Sequence, residues 1–284
     1  TIKNPKAKRT KHLIKLAPLA DYRRILTGFP ITKAPLDLYS QCYFLSPNLL
    51  GFSSYYAFSA RYAITQARRM GAHSFQQIVG FQRLEELQES IKDFSIRKTK
   101  DQCLDLPPKV YTKRYVELTA EQKKAYGTMK QKALMVLDNE VFSTMNVLTQ
   151  IMRLQQVVAG SLRNESGETI VLKNNRVQAV LDLLEETSGK AVIFAVFQTD
   201  IQELEKAIAN KYGEKSVASY YGKTPQDERQ KIIDRFQDPE SELRYFISNP
   251  QTGGRGITLT EGSTMIFYSN SYDLELRVQA EDRI

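Results

Sequence analysis

The stretch NPQTGGRGITLT, residues 249–260, has the composition of a phosphate-binding turn. Gly253, Gly254 and Gly256 can adopt positive φ and let the backbone come close to a ligand. Successive backbone N–H groups in such a turn can then face a phosphate. An ordinary tight turn between two strands has the same composition, so the stretch by itself leaves both interpretations open.

The sequence QAEDRI, residues 279–284, brings a second group suited to phosphate chemistry. The guanidinium of Arg283 is planar and permanently charged, and it is therefore suited to stabilising negative charge on a phosphoryl group during transfer. Charged residues of both signs surround it, as they do on many helices that face solvent. A surface arginine on a last helix is the alternative interpretation.

Positive charge is concentrated at one end of the chain. The 284 residues carry a formal net charge of +8, from 40 Lys and Arg against 32 Asp and Glu. Residues 1–33 contain nine Lys and Arg and one acid, Asp21, which accounts for the whole excess. Attraction to the phosphates of nucleic acid or nucleotide is one interpretation. A solvated helix face is the other, and composition does not separate them.

Composition excludes several kinds of protein and site. Cys42 and Cys103 are too few for a disulfide framework, and His12 and His73 do not complete a zinc site, so no metal site is predicted. So few histidines also leave no Ser-His-Asp grouping. The sequence has no apolar run long enough to span a membrane and no signal-type segment at its start. We therefore expect an intracellular protein of a reducing compartment, without a membrane partner.

The first half of the chain is predicted to be mostly helical. Pro107 and Pro108 fix their own backbone angles and restrict the residues before them, so residues 104–110 are predicted to be an extended connector. Thr119 and Gln122 have the spacing of a capping box, which would open a long helical region reaching to about residue 160. The other predicted elements are a helix at residues 4–17, a short strand at 22–28, and aromatic-rich helices from about 36 to 94.

Two stretches before the connector carry groups that can contact nucleic acid. The aromatic run at residues 43–62 could stack bases as single-strand binders do. Such a run is more often the core of a helical insertion, and we favour a core. The cluster IRKTK, residues 96–100, places Arg97, Lys98 and Lys100 beside the connector. Phosphate contact and plain solvation are both open for these three cations.

After residue 188 the pattern changes to apolar runs that alternate with amphipathic helices. KAVIFAVF, residues 190–197, is continuously apolar, as expected for a strand covered on both faces. Thr224 is predicted to cap a later helix, with Pro225 at its first position. Further strands are predicted in SVASYY, in RYFISN and in TMIFYS. This alternation predicts a parallel α/β sheet, whose ligands lie beyond the carboxyl ends of the strands.

Seven segments occur in the order in which one protein family has them. They are LTGFP (26–30), SIRKTK (95–100), LDLPPK (104–109), IMRLQQVVAG (151–160), YYGKTPQDER (220–229), GGRGITLT (253–260) and QAEDRI (279–284). With these segments the chain resembles the Swi/Snf-type family of helicase-like ATPases, in helicase superfamily two. The resemblance covers essentially the whole chain, and IFYSNSYDLELRVQAEDRI resembles the phage and bacterial branch most.

The resemblance implies two RecA-like lobes that close on ATP and hold duplex DNA along its backbone. Residues 1–45 would be the tail of the first lobe and residues 46–105 a helical insertion. Residues 106–284 would be the second lobe, with a helical protrusion near residues 119–165. The implied fold class is α/β, a RecA-like parallel sheet flanked by helices with all-helical insertions. The implied activity is ATP-driven translocation on double-stranded DNA, with ATP and Mg²⁺, in the cytoplasm of a bacterial or phage-infected cell.

The same resemblance implies which residues serve the nucleotide. Arg283 would be the catalytic arginine, reaching from the second lobe to the γ-phosphate held by the first. Gly256, Gln279 and Asp282 would join it in nucleotide binding.

DNA binding and lobe coupling are implied for two further sets of residues. Thr27, Gly28 and Pro30 would couple the lobes, although Phe29 replaces the second threonine of the family's LTGTP. The implied DNA-binding residues are Ser248, Thr252, Gly253, Gly254, Arg255, Arg97, Lys98 and Lys100. Arg255 stands where the family often has an apolar or small residue.

The family's glycine–lysine phosphate loop and its acidic metal-binding box have no counterpart in this sequence. We expect an excised fragment that begins downstream of the acidic box and ends inside the arginine motif. Such a fragment is expected not to hydrolyse ATP alone and to bind no cofactor alone. The alternatives are a helicase-like scaffold that binds nucleic acid or protein without turnover, and an ATPase that remodels a protein–nucleic acid complex.

Overall fold

The computed structural model describes residues 2–70, 73–105, 107–138, 144–163, 168–254 and 256–284. The chain divides into two compact units, residues 1–111 and residues 112–284. The predicted first-lobe tail and the predicted insertion both lie in the first unit, and the limits between them stay predictions.

The first unit is packed around its aromatic-rich segment. Its elements are α1 (Lys8–Leu16), α2 (Leu38–Leu45), α3 (Tyr55–Tyr62), β1 (Ala63–Met70), β2 (His73–Phe81), α4 (Leu84–Lys92) and α5 (Lys100–Cys103). Tyr39 of α2 packs with Phe58 and Tyr62 of α3 and with Leu87 of α4 in one buried cluster. The rings of Phe58 and Tyr62 lie 4.9 Å apart. The prediction that the aromatic run forms a core is confirmed for these side chains.

The start of the chain follows the sequence prediction only in part. The helix predicted at residues 4–17 is confirmed as α1. The strand predicted at residues 22–28 is wrong, because this segment pairs with no strand within the described residues. Tyr22 and Leu26 are 91% and 97% exposed there. Alternating apolar residues form a strand only when a neighbouring strand completes the backbone hydrogen bonds.

β1 and β2 form an antiparallel hairpin that the sequence analysis missed. Ala63 pairs with Phe81 at its base and Met70 pairs with His73 at its far end. The predictions of helix throughout residues 36–94 and of an all-helical insertion are therefore wrong here. Both runs contain β-branched or aromatic residues among polar ones, and a two-residue linker that begins with glycine joins them, which favours a hairpin.

The second unit contains two long helices followed by a layered α/β region. Its elements are α6 (Ala120–Asp138), α7 (Thr144–Ala159), β3 (Ser161–Arg163), β4 (Thr169–Val171), α8 (Arg176–Glu185), β5 (Lys190–Phe194), α9 (Gln198–Tyr212), β6 (Val217–Tyr220), α10 (Gln226–Gln237), β7 (Tyr245–Ser248), α11 (Pro250–Gly253), β8 (Gly262–Phe267) and α12 (Leu274–Glu281).

The capping box predicted at the start of α6 is confirmed. The N–H of Thr119 donates to Oε1 of Gln122 at 3.1 Å, and the N–H of Gln122 donates to Oγ1 of Thr119 at 3.2 Å. The same Gln122 is buried, and its Nε2 donates to the carbonyl oxygens of Val157 and Val158 at 2.9 and 3.2 Å. One side chain thus caps α6 and ties it to the end of α7.

The central sheet is parallel, as predicted, with strand order β6-β7-β5-β8. Every residue of β5 is buried, which explains why residues 191–194 are all apolar, and Nζ of the buried Lys190 donates to the carbonyl oxygen of Phe236 at 2.7 Å. Ile201, Leu204 and Ile208 of α9 pack on one face of the sheet together with α8. On the other face, Ile232 and Phe236 of α10 pack against Val192, Phe246 and Leu259.

The predicted start of α10 needs a one-residue correction. The helix begins at Gln226, so Pro225 precedes it and Thr224 is not its cap. The Oγ1 of Thr224 instead accepts from the N–H of Tyr221 at 3.0 Å and donates to the carbonyl oxygen of Ser219 at 3.2 Å. The hydroxyl therefore closes the turn after β6.

Candidate functional site

The carboxyl ends of the four strands lie side by side. Phe194 pairs with both Ser248 and Phe267, and Tyr220 pairs with Ser248. The chain leaves β5 toward α9 on one face, whereas the segment after β7 packs on the other face. Connections that diverge in this way open a crevice at the strand ends, where α/β sheets bind their ligands. The candidate site therefore lies beyond the ends of β5 and β7.

The turn after β7 is a short capped helix. Asn249 caps α11, and its Oδ1 accepts from the N–H of Thr252 at 3.0 Å. The N–H of Gly253 donates to the carbonyl oxygen of Asn249 at 2.9 Å, and that of Gly254 donates to Pro250 at 3.1 Å. Each of these three N–H groups therefore donates within the chain, as in an ordinary turn, and a phosphate contact of this turn stays a prediction.

Gly253 and Gly254 are required by close packing and not by positive φ. A Cβ at Gly253 would lie 2.3 Å from Oγ of Ser248, and one at Gly254 would lie 2.3 Å from the carbonyl oxygen of Pro250. Gly256 alone among the three glycines has a positive φ, 69°, and a Cβ there would meet open space. Its N–H makes no hydrogen bond within the described residues. Gly256 is thus the glycine of this turn whose backbone is open to a ligand.

Arg283 is held against the segment that follows Gly256. Its Nη1 donates to the carbonyl oxygen of Ile257 at 3.1 Å, and its Nε donates to that of Gln279 at 3.0 Å. The N–H of Leu259 donates in return to the carbonyl oxygen of Arg283 at 2.9 Å. Neither side-chain bond uses Nη2, which keeps its N–H donors for a ligand. The predicted arginine and the predicted nucleotide-binding glycine are thereby brought together.

α12 carries the other two residues predicted to bind the nucleotide. Asp273 caps the helix by accepting from the N–H of Leu276 at 3.2 Å. Nε2 of Gln279 donates to Oε1 of Glu275 at 2.9 Å, one helical turn earlier. Asp282 follows the end of the helix and is half-buried. Both residues lie within four positions of Arg283 in the sequence, and their nucleotide contact stays a prediction.

The residues predicted to bind DNA in this unit lie at different depths. Ser248 is fully buried, and its hydroxyl donates to the carbonyl oxygen of Tyr220, so it joins the ends of β7 and β6. Thr252 is half-buried on α11. Arg255 lies outside the described residues. DNA contact by these residues stays a prediction, and Ser248 has a structural role in the sheet edge.

A buried carboxyl group near the same sheet edge was missed by the sequence analysis. Asp200, in the first turn of α9, is 3% exposed, and Oγ of Ser269 donates to its Oδ2 at 3.0 Å. That hydroxyl also accepts from the N–H of Val196 at 2.8 Å. Burial raises the pKa of Asp200 to about 7, although the Ser269 hydrogen bond and the charge of Arg176 act to lower it. The position of Asp200 just after an apolar strand was the available signal.

Tyr268 extends this polar group toward α7 and α8. Its hydroxyl donates to the carbonyl oxygen of Ala159 at 2.9 Å, and burial, followed by the charge of Asp200, raises its pKa. The guanidinium of Arg176 lies 4.6 Å from the centre of its ring and donates to its carbonyl oxygen. These contacts fix the residue after β8 against the end of α7 and the start of α8.

The predicted residues of the first unit lie in exposed segments. Thr27 and Gly28 are exposed, and Oγ1 of Thr27 accepts from the N–H of Phe29 at 3.2 Å. The carbonyl oxygen of Pro30 accepts from Nε2 of Gln41 at 2.7 Å, which anchors this segment to α2. The exposed cations predicted to bind DNA in this unit are Arg97, Lys98 and Lys100. Their roles, and lobe coupling by residues 27–30, stay predictions.

The described side chains include no group of three or more His, Cys, Asp or Glu that could hold a metal ion. Among the same residues, no helix is both long and apolar enough to cross a membrane. Near the glycine turn, the described residues offer two donors that take no part in the hydrogen bonds given above, the N–H of Gly256 and Nη2 of Arg283. Both are donors of the kind that binds phosphate oxygens.

Comparison with protein families gives two matches along the chain. A model described as the SNF2-related domain matches residues 1–161. A model described as the helicase conserved C-terminal domain matches residues 173–284, which contain the glycine turn and Arg283.

The individual proteins that are similar to this chain include two helicases and a SWI2/SNF2 ATPase. Over 99% of this chain, an uncharacterized ATP-dependent helicase of Mycoplasma genitalium is 25% identical. A DNA annealing helicase and endonuclease of Bos taurus is 27% identical, also over 99% of the chain. The chain spans 26% and 25% of these two relatives. The solved core domain of a Sulfolobus solfataricus SWI2/SNF2 ATPase is similar over 98% of this chain and 56% of its own, with 25% identity and a TM-score of 0.50.

Proposed function

This chain belongs to the SNF2-related family of helicase-like proteins, and we propose that it is part of an ATP-dependent translocase that acts on double-stranded DNA. In this proposal, residues 106–284 are the second lobe, and residues 1–45 are the tail of the first lobe. Each cycle of ATP hydrolysis closes and opens the lobes and shifts their grip along the DNA backbone. Translocation of this kind does not require the strands to be separated.

The observation that carries the proposal is the hydrogen bond from Arg283 to Ile257, the residue after Gly256. It joins the arginine motif to the segment that follows the glycine turn, and that turn begins directly after β7, at the strand ends where α/β proteins bind ligands. In the unbound chain the bond holds the guanidinium in place, so little ordering remains for nucleotide binding. A pre-positioned cation stabilises developing charge without reorganisation at the moment of reaction.

The residues present suit the phosphate end of a nucleotide. ATP with Mg²⁺, when bound, supplies the phosphoryl group and neutralises part of its charge. The N–H of Gly256 and Nη2 of Arg283 donate to phosphate oxygens, and Gln279 and Asp282 contact the nucleotide from α12. This sequence contains neither the glycine–lysine loop nor the acidic box of the family, and we propose for that reason that the chain alone has no turnover.

DNA binding is proposed to be a grip on the backbone. The basic residues of positions 1–33 and the exposed Arg97, Lys98 and Lys100 supply the charge in the first unit. The segment Thr252–Arg255 supplies contacts in the second. Thr27, Gly28 and Pro30 couple DNA contact to lobe closure. Phosphate contacts carry no sequence information, so binding is expected to be independent of sequence and sensitive to salt.

Binding of the chain to duplexes of unrelated sequence tests this grip. Fluorescence anisotropy is measured from about 50 to 200 mM salt, because each neutralised phosphate adds roughly −0.9 to the slope of log affinity against log salt. We expect equal affinity for the different sequences and a slope of several units. Salt-insensitive binding, or strong preference for one sequence, would contradict the proposal. Duplex binding without ATP turnover, by a form that also carries the glycine–lysine loop and the acidic box, would indicate a helicase-like scaffold.

A further inference from the structure

The β1–β2 hairpin is exposed on both faces along most of its length. Residues 64–69 of β1 and residues 74–79 of β2 are all exposed. An antiparallel sheet normally buries one face against a core, and a lone two-stranded hairpin is marginally stable in water. Within its described residues, this hairpin joins the core of the first unit at its base, through Ala63 and Phe81. Its outer part has the form of an arm for a partner.

The charge of this arm has one sign. The sequence has no Asp or Glu between Asp37 and Glu85, so the whole hairpin lacks acids. Arg61 and Arg83, at its base, both contact Glu86, at 2.7 and 3.8 Å.

The two arginines on the arm differ from those at its base. Arg68 and Arg69 are exposed, and neither side chain makes a hydrogen bond or an ion pair within the described residues. The arm therefore presents two uncompensated cations, and a polyanion is the partner that complements them.

The pairing places these cations on opposite faces. Arg68 is opposite Phe75 and Arg69 is opposite Ser74, and neighbouring residues of a strand point to opposite sides. Gln66 and Gln77 pair on the Arg68 face, and both can donate to phosphate or to base edges. Phe75 adds an exposed apolar surface beside Arg68.

The dimensions fit a groove of duplex DNA. Eight residues of β1 give an arm of roughly 26 Å at about 3.3 Å per residue. The major groove, about 12 Å wide, admits a two-stranded β-ribbon. Cations on the two faces of such a ribbon can reach the phosphates on either side of the groove.

We propose that the β1–β2 hairpin is a DNA-binding arm that lies in a groove of the duplex, with Arg68 and Arg69 contacting the phosphates that flank it. This inference rests on the proposed function only in taking DNA as the polyanion. The arm is a separate contact from those at the glycine turn and at residues 97–100. It adds a grip contributed by the first unit.

The double variant Arg68→Gln/Arg69→Gln tests the arm in the full chain. Both side chains are exposed and unpaired, so folding should not change, and circular dichroism checks this. We expect duplex affinity to fall about eightfold at 0.1 M salt for each lost phosphate contact, and the salt slope to become shallower by about 1.8 in total. The matched control is Lys231→Gln/Arg235→Gln, which removes the same charge from exposed positions of α10.

The outcomes separate the arm from the translocase proposal. The arm is supported if the wild-type chain binds duplex and only the hairpin variant has a lower duplex affinity. If the wild type and the hairpin variant have the same duplex affinity and the same salt slope, the arm is overturned but the general backbone grip is not. The partner of the hairpin would then be an acidic protein surface. Failure of the wild-type chain to bind any duplex overturns both. Equal weakening by the α10 control would show a net-charge effect and also overturn the arm.

Site-directed crosslinking gives a measurement that does not depend on affinity. In a Cys103→Ser background, which removes the exposed thiol, Ser74→Cys places a thiol on the arm and Gln226→Cys places one on α10. A duplex with a thiol tethered to one backbone phosphate is the probe. We expect disulfide capture by the arm cysteine, suppressed by unmodified duplex, and little capture at position 226. Equal capture at both positions would contradict the arm.

Discussion

Arg283 and Ile257 are joined by a 3.1 Å hydrogen bond from the guanidinium to the backbone carbonyl. The backbone of Arg283 accepts in turn from Leu259, so side chain and main chain hold the same segment. Through this pair, the residues after α12 are fixed to the residues after the glycine turn. The binding of a ligand to Arg283 therefore also depends on the position of the residues after the turn.

Truncation of this arginine should cost stability as well as function. Arg283→Ala removes the bonds to the carbonyl oxygens of Ile257 and Gln279, and we expect the free energy of unfolding to fall by about 1 kcal/mol. Arg283→Lys keeps the charge but loses the fork that makes both bonds, so it should lie between alanine and wild type. Urea unfolding measures this. Two variants as stable as wild type would show that the bonds do not anchor the segment.

The glycines of the turn should respond differently to substitution. Gly256→Ala meets open space but keeps a positive φ, which costs an L residue about 1 to 2 kcal/mol. Gly254→Val places its Cβ on the carbonyl oxygen of Pro250 and should cost more than Gly256→Ala. Gly222→Ala, with open space and ordinary φ, is the control and should be nearly neutral. Thermal unfolding of the three variants gives the order, and a neutral Gly254→Val would contradict the packing.

Gln122 should be a stabilising residue of the α6–α7 pair. Gln122→Leu keeps a similar size but removes the donors to Val157 and Val158 and the capping contact with Thr119. The two carbonyl oxygens keep their longer bonds from Gly160 and Arg176, and each lost hydrogen bond costs about 0.5 to 1.5 kcal/mol. Gln131→Leu, at an exposed position of α6, is the control. Equal unfolding midpoints for the two variants would show that the buried amide does not couple the helices.

Asp200 should make the stability of the chain depend on pH. Its pKa is raised by burial to about 7 in the folded state, from 3.8, so the folded state binds a proton that the unfolded state releases. The stabilising contribution is complete below about pH 4 and is lost as pH rises through about 7.

Asp200→Asn removes this titration and can still accept from Ser269. The stability advantage of this variant over wild type should grow between pH 5 and pH 8 by on the order of 3 kcal/mol. Asp227→Asn, an exposed residue of α10, should follow wild type across the range. A constant difference between Asp200→Asn and wild type would mean that Asp200 is ionised throughout.

The sequence predicts the parallel sheet and the position of its site because both depend on local patterns. Apolar runs such as KAVIFAVF that alternate with amphipathic helices predict that the strands run parallel. The shared direction of the strands then predicts a site at their carboxyl ends. The Thr119–Gln122 box was predictable for the same reason, since its partners are three residues apart.

Other features depend on atoms that are distant in sequence. Ser269 donates to Asp200 across 69 positions, and Lys190 reaches Phe236 across 46. The requirement for glycine at 253 comes from Ser248 and Phe194 together. The hairpin at residues 63–81 was missed because aromatic content before it suggested helix, whereas its short linker and its β-branched residues were the better signal.

The most direct test of the central claim measures phosphate release with and without duplex DNA. The samples are this chain alone, a form that also carries the glycine–lysine loop and acidic box, and Arg283→Ala in that form. We expect no turnover by the chain alone and DNA-stimulated hydrolysis by the longer form. Loss of an arginine that acts on the transferred phosphate lowers the rate on the order of 10³- to 10⁵-fold, and ATP binding should change much less. Turnover by this chain alone, or an unchanged rate in Arg283→Ala, would contradict a site shared between two lobes.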